Sequence, residues 1–229
     1  MQPSHKVRPV FDDPNLVSSA GLVPALRLAE SAGLYELLAG VTVPSPNASA
    51  KAACVVGGML AGADSIDDLD LLRHGGMTRL FGGVRAPSTL GTFLRSFTHG
   101  HVQQLDAVNA ALLAGLAERV PGLLAGGDGF ATVDVDDTVR EVHGHAKQGA
   151  AFGYTRQRGL NIQLATISTP LAAPVIARAR LRSGNTTSAK GAGRLLAQAL
   201  TTARGAGVTG QLLARADSVE VGPRPRSRR

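Results

Sequence analysis

Apolar residues along the first part of the chain return every three or four positions. Leu22, Leu26 and Ala29, then Leu34, Leu37 and Leu38, follow that spacing and predict helix with one buried side. The turn-forming run "PSPNAS" at 44–49 separates them from a second helical stretch, "AKAACVVGGMLAGA", which it can cap. Ser65 and Asp68 have the spacing of a capping box that opens a short helix with Ile66, Leu69 and Leu72 on one side. "PST" at 87–89 starts another helix, carrying Leu90, Phe93, Leu94 and Phe97. A long helix follows, with Val102, Leu105, Val108, Leu112 and Leu116 as its stripe. "PGLLAGGDG" at 121–129 ends this regime.

From Phe130 the period changes to two. In "ATVDVDDTV", Val133 and Val135 alternate with Thr132, Asp134 and Asp136, as in a half-exposed strand. "NIQLATIST" and "APVIARARL" predict two more strands, the second alternating apolar residues with Arg178, Arg180 and Arg182. "TSAKGAGRLLAQALTTARGAG" reads as a helix with Leu195, Leu196, Ala199 and Leu200 inward and a glycine exit. "GQLLARADS" is a further strand ending at Asp217. The predicted fold class is α+β: a helical region over 1–125, a β-β-β-α-β region over 126–218, and a basic tail over 219–229. No internal repeat is visible.

Composition narrows the class. With 229 residues, 44% of them apolar, the chain can bury a real core. Cys54 is the single cysteine, so neither a disulfide framework nor a cysteine-based zinc site is expected within one chain, which suits a reducing cytosol. The opening "MQPSHKVRPVFDDPN" has no apolar core of a secretory leader, and the apolar stretch from Cys54 to Ala63 is too short to span a bilayer. The net charge of +7 is unevenly spread: residues 1–137 hold 9 Lys/Arg against 14 Asp/Glu, and residues 138–229 hold 15 against 3. Between Glu141 and Asp217 there are ten Lys or Arg and no acid. Such one-sided basicity points to a polyanion, foremost nucleic acid.

Within that setting the acidic cluster stands out. On a strand, Asp134 and Asp136 face one side and Asp137 the other. Two carboxylates on one face disfavour each other's charge unless a cation shares them. Joined by a third carboxylate from a neighbouring strand, they suit Mg²⁺ or Mn²⁺. Asp217 ends the last strand, so if that strand lies beside the first, Asp136 and Asp217 meet. Metal held there can activate a water and stabilise the leaving oxygen of a phosphodiester. The plain alternative is a turn at Asp136–Asp137 and an incidental Asp217. A sharper one is a haloacid-dehalogenase-type phosphatase, with Asp134 as nucleophile and Asp136 as acid/base; the acidic Mg²⁺-binding pair that fold needs downstream is missing, and the strand does not head a run of βα units. His143 and His145 with Glu141 have metal-ligand spacing, but the Gly-rich, basic stretch around them reads rather as a hairpin region near phosphates.

"SIDDLDLLRHGGM", "RAPSTLGTFLRSFTHGHVQQLD", "VDVDDTVREVHGHAKQGAAFGYTRQRG" and "RADS", in this order and spacing, resemble a DDE transposase of bacterial insertion sequences, in the 1380-type subgroup of the IS4-related assemblage. The resemblance runs from about Asp12 to Ser218. It implies a helical DNA-binding region ahead of an RNase H-like catalytic core, working in the bacterial cytoplasm at the nucleoid. It also implies divalent-metal-dependent cleavage and strand transfer on transposon ends and target DNA. Carried over by motif, the catalytic aspartates are Asp136, with Asp134 the lesser choice, and Asp217; Asp136 and Asp217 hold the metal. Arg95, Lys147, Arg156 and Arg158 are the expected DNA contacts. After "RADS" the family continues to a glutamate-bearing helix, whereas here "VEVGPRPRSRR" follows. The resemblance therefore implies the amino-terminal part of such an enzyme, lacking one of three metal carboxylates and with little or no strand transfer. Two other outcomes are a non-catalytic DNA-binding remnant, able to associate with and regulate a full-length transposase, and a core with too little cover to fold stably.

Overall fold

The structure, a computed structural model, describes residues 10, 13–144, 146–153 and 155–216. It is mixed α and β, and the chain divides into two compact units, Met1–Val108 and Asn109–Arg229. Among the described residues no helix is long and apolar enough to cross a membrane.

The first unit is helical. Helix α1 (Leu22–Ser31) and helix α2 (Leu34–Ala39) are separate because Gly33 takes φ 90°, a left-handed turn that a side chain resists. Leu22, Leu34 and Leu38 are buried, as their spacing predicts. Helix α3 (Ala48–Leu60) presents Gly57 and Gly58 to Leu72 and Leu69, so a 3₁₀ helix (Asp67–Arg73) packs closely on it. The capping box forms at the start of that 3₁₀ helix. The Ser65 amide and hydroxyl donate to Asp68 Oδ2 at 3.1 and 2.6 Å, and the Asp68 amide donates back to Ser65 Oγ at 3.3 Å. The Ser65 hydroxyl holds the Asp68 carboxyl below the usual carboxylate range. The box is thus fully present above the pKa of a free carboxyl and is lost as pH falls through the lowered value. A single turn, α4 (Met77–Leu80), buries Met77 completely. Helix α5 (Pro87–Arg95) buries Leu90 and Phe93, and Phe93 joins Val41 and Val43 in a cluster to which Leu105 and Val108 of helix α6 (His99–Arg119) add.

The second unit begins within α6, whose Leu113 and Ala117 belong to its core. Strand β1 (Phe130–Glu141) pairs antiparallel with β3 (Arg158–Thr169), which pairs antiparallel with β4 (Ala172–Ser183) and with the short β2 (Ala151–Phe152). Helix α7 (Ala192–Gly205) then leads to β5 (Gln211–Ala216), which lies parallel to β1 on its free side. The lateral order is β4–β3–β1–β5, a meander followed by a helical crossover. The three predicted strands, the helix and the last strand occur in that sequence; β2 is an addition.

Helix α7 covers one face of the sheet. Leu195, Ala199 and Ala203 are fully buried with Val133, Ala165, Ile167 and Ala177, the alanines letting helix and sheet approach closely. Leu196 and Leu200, also expected inward, are only half-buried at the margin. Arg204 ties the exit of α7 by donating to the carbonyls of Val208 and Gly210, both at 2.8 Å.

Past a bulge that leaves Val175 and Ala177 in the core, the second half of β4 reverses the usual amphipathic sense. Arg178, Arg180 and Arg182 share the face of α7, whereas Ile176 and Leu181 point to the other face and are 49% and 40% exposed. The helix side supplies polar partners. Arg178 Nε donates to Thr202 Oγ1 at 2.9 Å, and Arg180 to Gln198 Oε1 at 2.8 Å and to the Gly191 carbonyl at 3.1 Å. The opposite face carries Ile176, Leu181 and Leu213 together with Asp134 and Asp136.

Gly184 fixes the end of β4. A Cβ there would overlap the carbonyl oxygens of Gly159 and Ala151, which are backbone atoms and cannot turn aside. Gly184→Ala is therefore expected to destabilise the fold by about 2 kcal/mol or more. Urea denaturation of the variant against wild type measures this.

Candidate functional site

Alternation along β1 sends its three aspartates to two different tasks. Asp137 shares a face with Val133 and Val135 and points towards the α7 side. There it accepts from Asn161 Nδ2 and lies 3.3 Å from Arg182 Nη2, with the Asp137 and Arg182 side chains only 10% and 7% exposed. Arg182 also donates to Asn161 Oδ1 at 2.9 and 2.6 Å and to the carbonyls of Thr187 and Lys190. Burial pushes the Arg182 guanidinium down from its ordinary value, and the Asp137 charge works against that shift. Asp137 is thus a structural anchor for the segment between β4 and α7.

Asp134 and Asp136 lie on the opposite face, as the spacing predicts. Asp134 is half-buried and fully engaged: Arg215 Nε donates to its Oδ1 at 2.5 Å and Nη2 to its Oδ2 at 3.0 Å. Arg215 stands there because the parallel register places it opposite Asp134. Donation to Asp134, together with that carboxylate's charge, raises the guanidinium's pKa. Both oxygens of Asp134 already face a cation, so this carboxylate is poorly placed to be a nucleophile or a metal ligand.

Asp136 is exposed. Its Oδ1 accepts the Asp137 amide at 2.7 Å, and its Oδ2 receives no hydrogen bond from the described residues. An exposed, uncompensated carboxylate on a strand fits a hard divalent cation, which takes one or two carboxylates and completes its shell with water or phosphate oxygens. The β1–β5 register runs to Val135 opposite Ala216. Asp217, the other expected ligand, lies outside the described residues. Among the described residues no three His, Cys, Asp or Glu side chains gather into a metal-binding group. Glu141 and His143 are both exposed, and His145 lies outside the described residues.

The expected DNA contacts fall into two groups. Arg95 is exposed on the last turn of α5, its Nη2 at 3.5 Å from Thr92 Oγ1. Lys147 and Arg156 are exposed in the segment joining β1 to β3, where Arg156 takes φ 58° and its amide donates to the Gly153 carbonyl. Arg158 instead donates to the Gly144 carbonyl at 2.7 Å, bracing that same segment. Six of the ten basic residues between Glu141 and Asp217 are thus engaged within the fold: Arg158, Arg178, Arg180, Arg182, Arg204 and Arg215. The basic stretch is less open to a polyanion than its charge alone suggests. Arg178, Arg180 and Arg182 were missed as internal bonds, although their shared phase and the Gln198/Thr202 pair one turn apart on α7 carry the signal.

No family model, no curated protein and no solved structure matches the chain.

Proposed function

We propose that the chain is a DNA-binding protein of the DDE transposase kind, its second unit being the first part of an RNase H-like core. The observation that carries this reading is the parallel pairing of β5 with β1, which brings the two strands into step at Val135 and Ala216, each directly before an aspartate. In this reading Asp136 and Asp217, the latter outside the described residues, together hold Mg²⁺ or Mn²⁺. Such an ion supplies Lewis-acid polarisation of a phosphodiester when bound. Arg215 neutralises Asp134 and leaves Asp136 as the available carboxylate. Lys147 and Arg156, both exposed, carry positive charge in the segment that follows β1 and serve to hold phosphates.

The antiparallel β1–β3–β4 meander counts against the phosphatase reading, which calls for a run of βα units. A non-catalytic DNA-binding role is the second reading. It is favoured by the Arg215 fork, because that fork leaves a single described carboxylate open on this face.

Fluorescence anisotropy with a duplex oligonucleotide across a salt series tests the DNA reading. Binding is expected to weaken linearly on a log–log plot against salt, and the Lys147→Ala, Arg156→Ala double variant to reduce the slope by about two. No binding at low salt contradicts it. A metal-dependent nick in the duplex favours the catalytic reading, and binding without nicking favours the second.

A further inference from the structure

In the first unit a cavity of about 190 Å³ lies where α1, α2 and α3 meet the 3₁₀ helix and the segment 81–85 that enters α5. Leu22, Leu26, Leu72 and Phe81 line it, and the small residues Ala53 and Gly57 leave the space between them open. Tyr35, Cys54 and Arg85 add polar groups, and no acidic side chain takes part. Burial raises the pKa of the Tyr35 phenol, and the charges of Glu30 and Cys54 add to that shift, so the hydroxyl stays a neutral donor.

Arg85 lacks a match. Its Nε is fully buried without a hydrogen-bond partner, and no carboxylate pairs with it among the described residues. A guanidinium is always charged and offers only donors, so a buried N–H of this kind is costly to leave unmade. Native folds pair nearly all such atoms. A carboxylate met by Nε and a terminal nitrogen together satisfies the group through two parallel bonds. The apolar walls disfavour a heavily hydrated anion such as phosphate. The volume suits a small body, since an apolar cavity of about 150 Å³ already admits benzene.

We propose that this cavity binds a small organic monocarboxylate of about benzoate's size, its carboxylate on Arg85 and its apolar body against Leu22, Leu26, Leu72 and Phe81. The Tyr35 hydroxyl is a further donor to the same ligand. The site uses no residue of the sheet and does not depend on the DNA reading.

Cys54, the chain's only cysteine, lines the cavity and reports its occupancy. Its reaction rate with a small thiol reagent is measured on the full chain, alongside the thermal midpoint, with benzoate, acetate or benzyl alcohol. Benzoate is expected to slow the reaction saturably, by about threefold or more, and to raise the midpoint, because it binds the folded state. Acetate lacks the apolar body and benzyl alcohol the charge, so each is expected to need about tenfold more for the same effect. Arg85→Gln is expected to erase the preference for benzoate over benzyl alcohol, and Ala53→Leu, which fills the space, to abolish protection by both. If benzoate neither protects Cys54 nor raises the midpoint of wild type, the proposal is overturned. Equal action of benzoate and benzyl alcohol on wild type, or of benzoate on wild type and Arg85→Gln, refutes the pairing with Arg85. The wild-type comparison decides the matter even where a variant fails to fold.

Discussion

Asp137→Ala is expected to destabilise the protein by about 3 kcal/mol, whereas Asp136→Ala, one residue away, is expected to change stability by less than about 0.5 kcal/mol. The contrast follows from the two faces of β1. Asp137 is buried against Arg182 and Asn161, and removing it leaves the Arg182 guanidinium in a poorly solvated place without its counter-charge. Arg182 in turn holds the carbonyls of Thr187 and Lys190, so the segment entering α7 loosens as well. Asp136 is exposed and, among the described residues, anchors no other element. Urea denaturation followed by far-UV circular dichroism measures both, and a comparable loss in the two variants is the outcome that contradicts this division.

Leu195→Ala is expected to cost about 3 kcal/mol. Leu195 is fully buried where α7 meets the sheet, in the same cluster as Val133, Ala165 and Ile167, and alanines 199 and 203 beside it have nothing with which to fill the gap. Leu181→Ala, on the opposite face and 40% exposed, is expected to lose less than about 1 kcal/mol. Thermal and urea midpoints of the pair report which face of the sheet forms the core. Equal losses mean that the face bearing Asp134, Asp136 and Leu181 is covered in solution.

These effects mark how far the sequence could be read. Alternation in "ATVDVDDTV" placed Asp134 and Asp136 together and Asp137 apart, and the structure has them so, because a strand's two-residue period leaves no other arrangement. The helix over α7 was legible from Leu195 and Ala199 four residues apart. The direction of β4 was not. Its arginines were in phase, but which face they take depends on what α7 and its entry offer them, and Thr202, Gln198 and the Gly191 carbonyl come from 24, 18 and 11 positions away. Helix α6 shows the same limit in another form. Its expected stripe ran Val102, Leu105, Val108, Leu112 and Leu116, yet its buried residue is Leu113. The helix crosses from one unit to the other after Val108, and its later turns follow the sheet's core, where Leu113 and Ala117 pack. The Arg215–Asp134 fork was also hidden, since it requires the parallel register of β5, which no local pattern encodes.

The claim on which the functional reading turns is that Asp136, and not Asp134, binds a divalent ion together with the residue that follows β5. Paramagnetic broadening of backbone amide signals by substoichiometric Mn²⁺ tests it most directly. Broadening is expected to centre on residues 135–137 and 216–218, to vanish in Asp136→Asn and to persist in Asp134→Asn. Broadening centred elsewhere, or unchanged by Asp136→Asn, contradicts it.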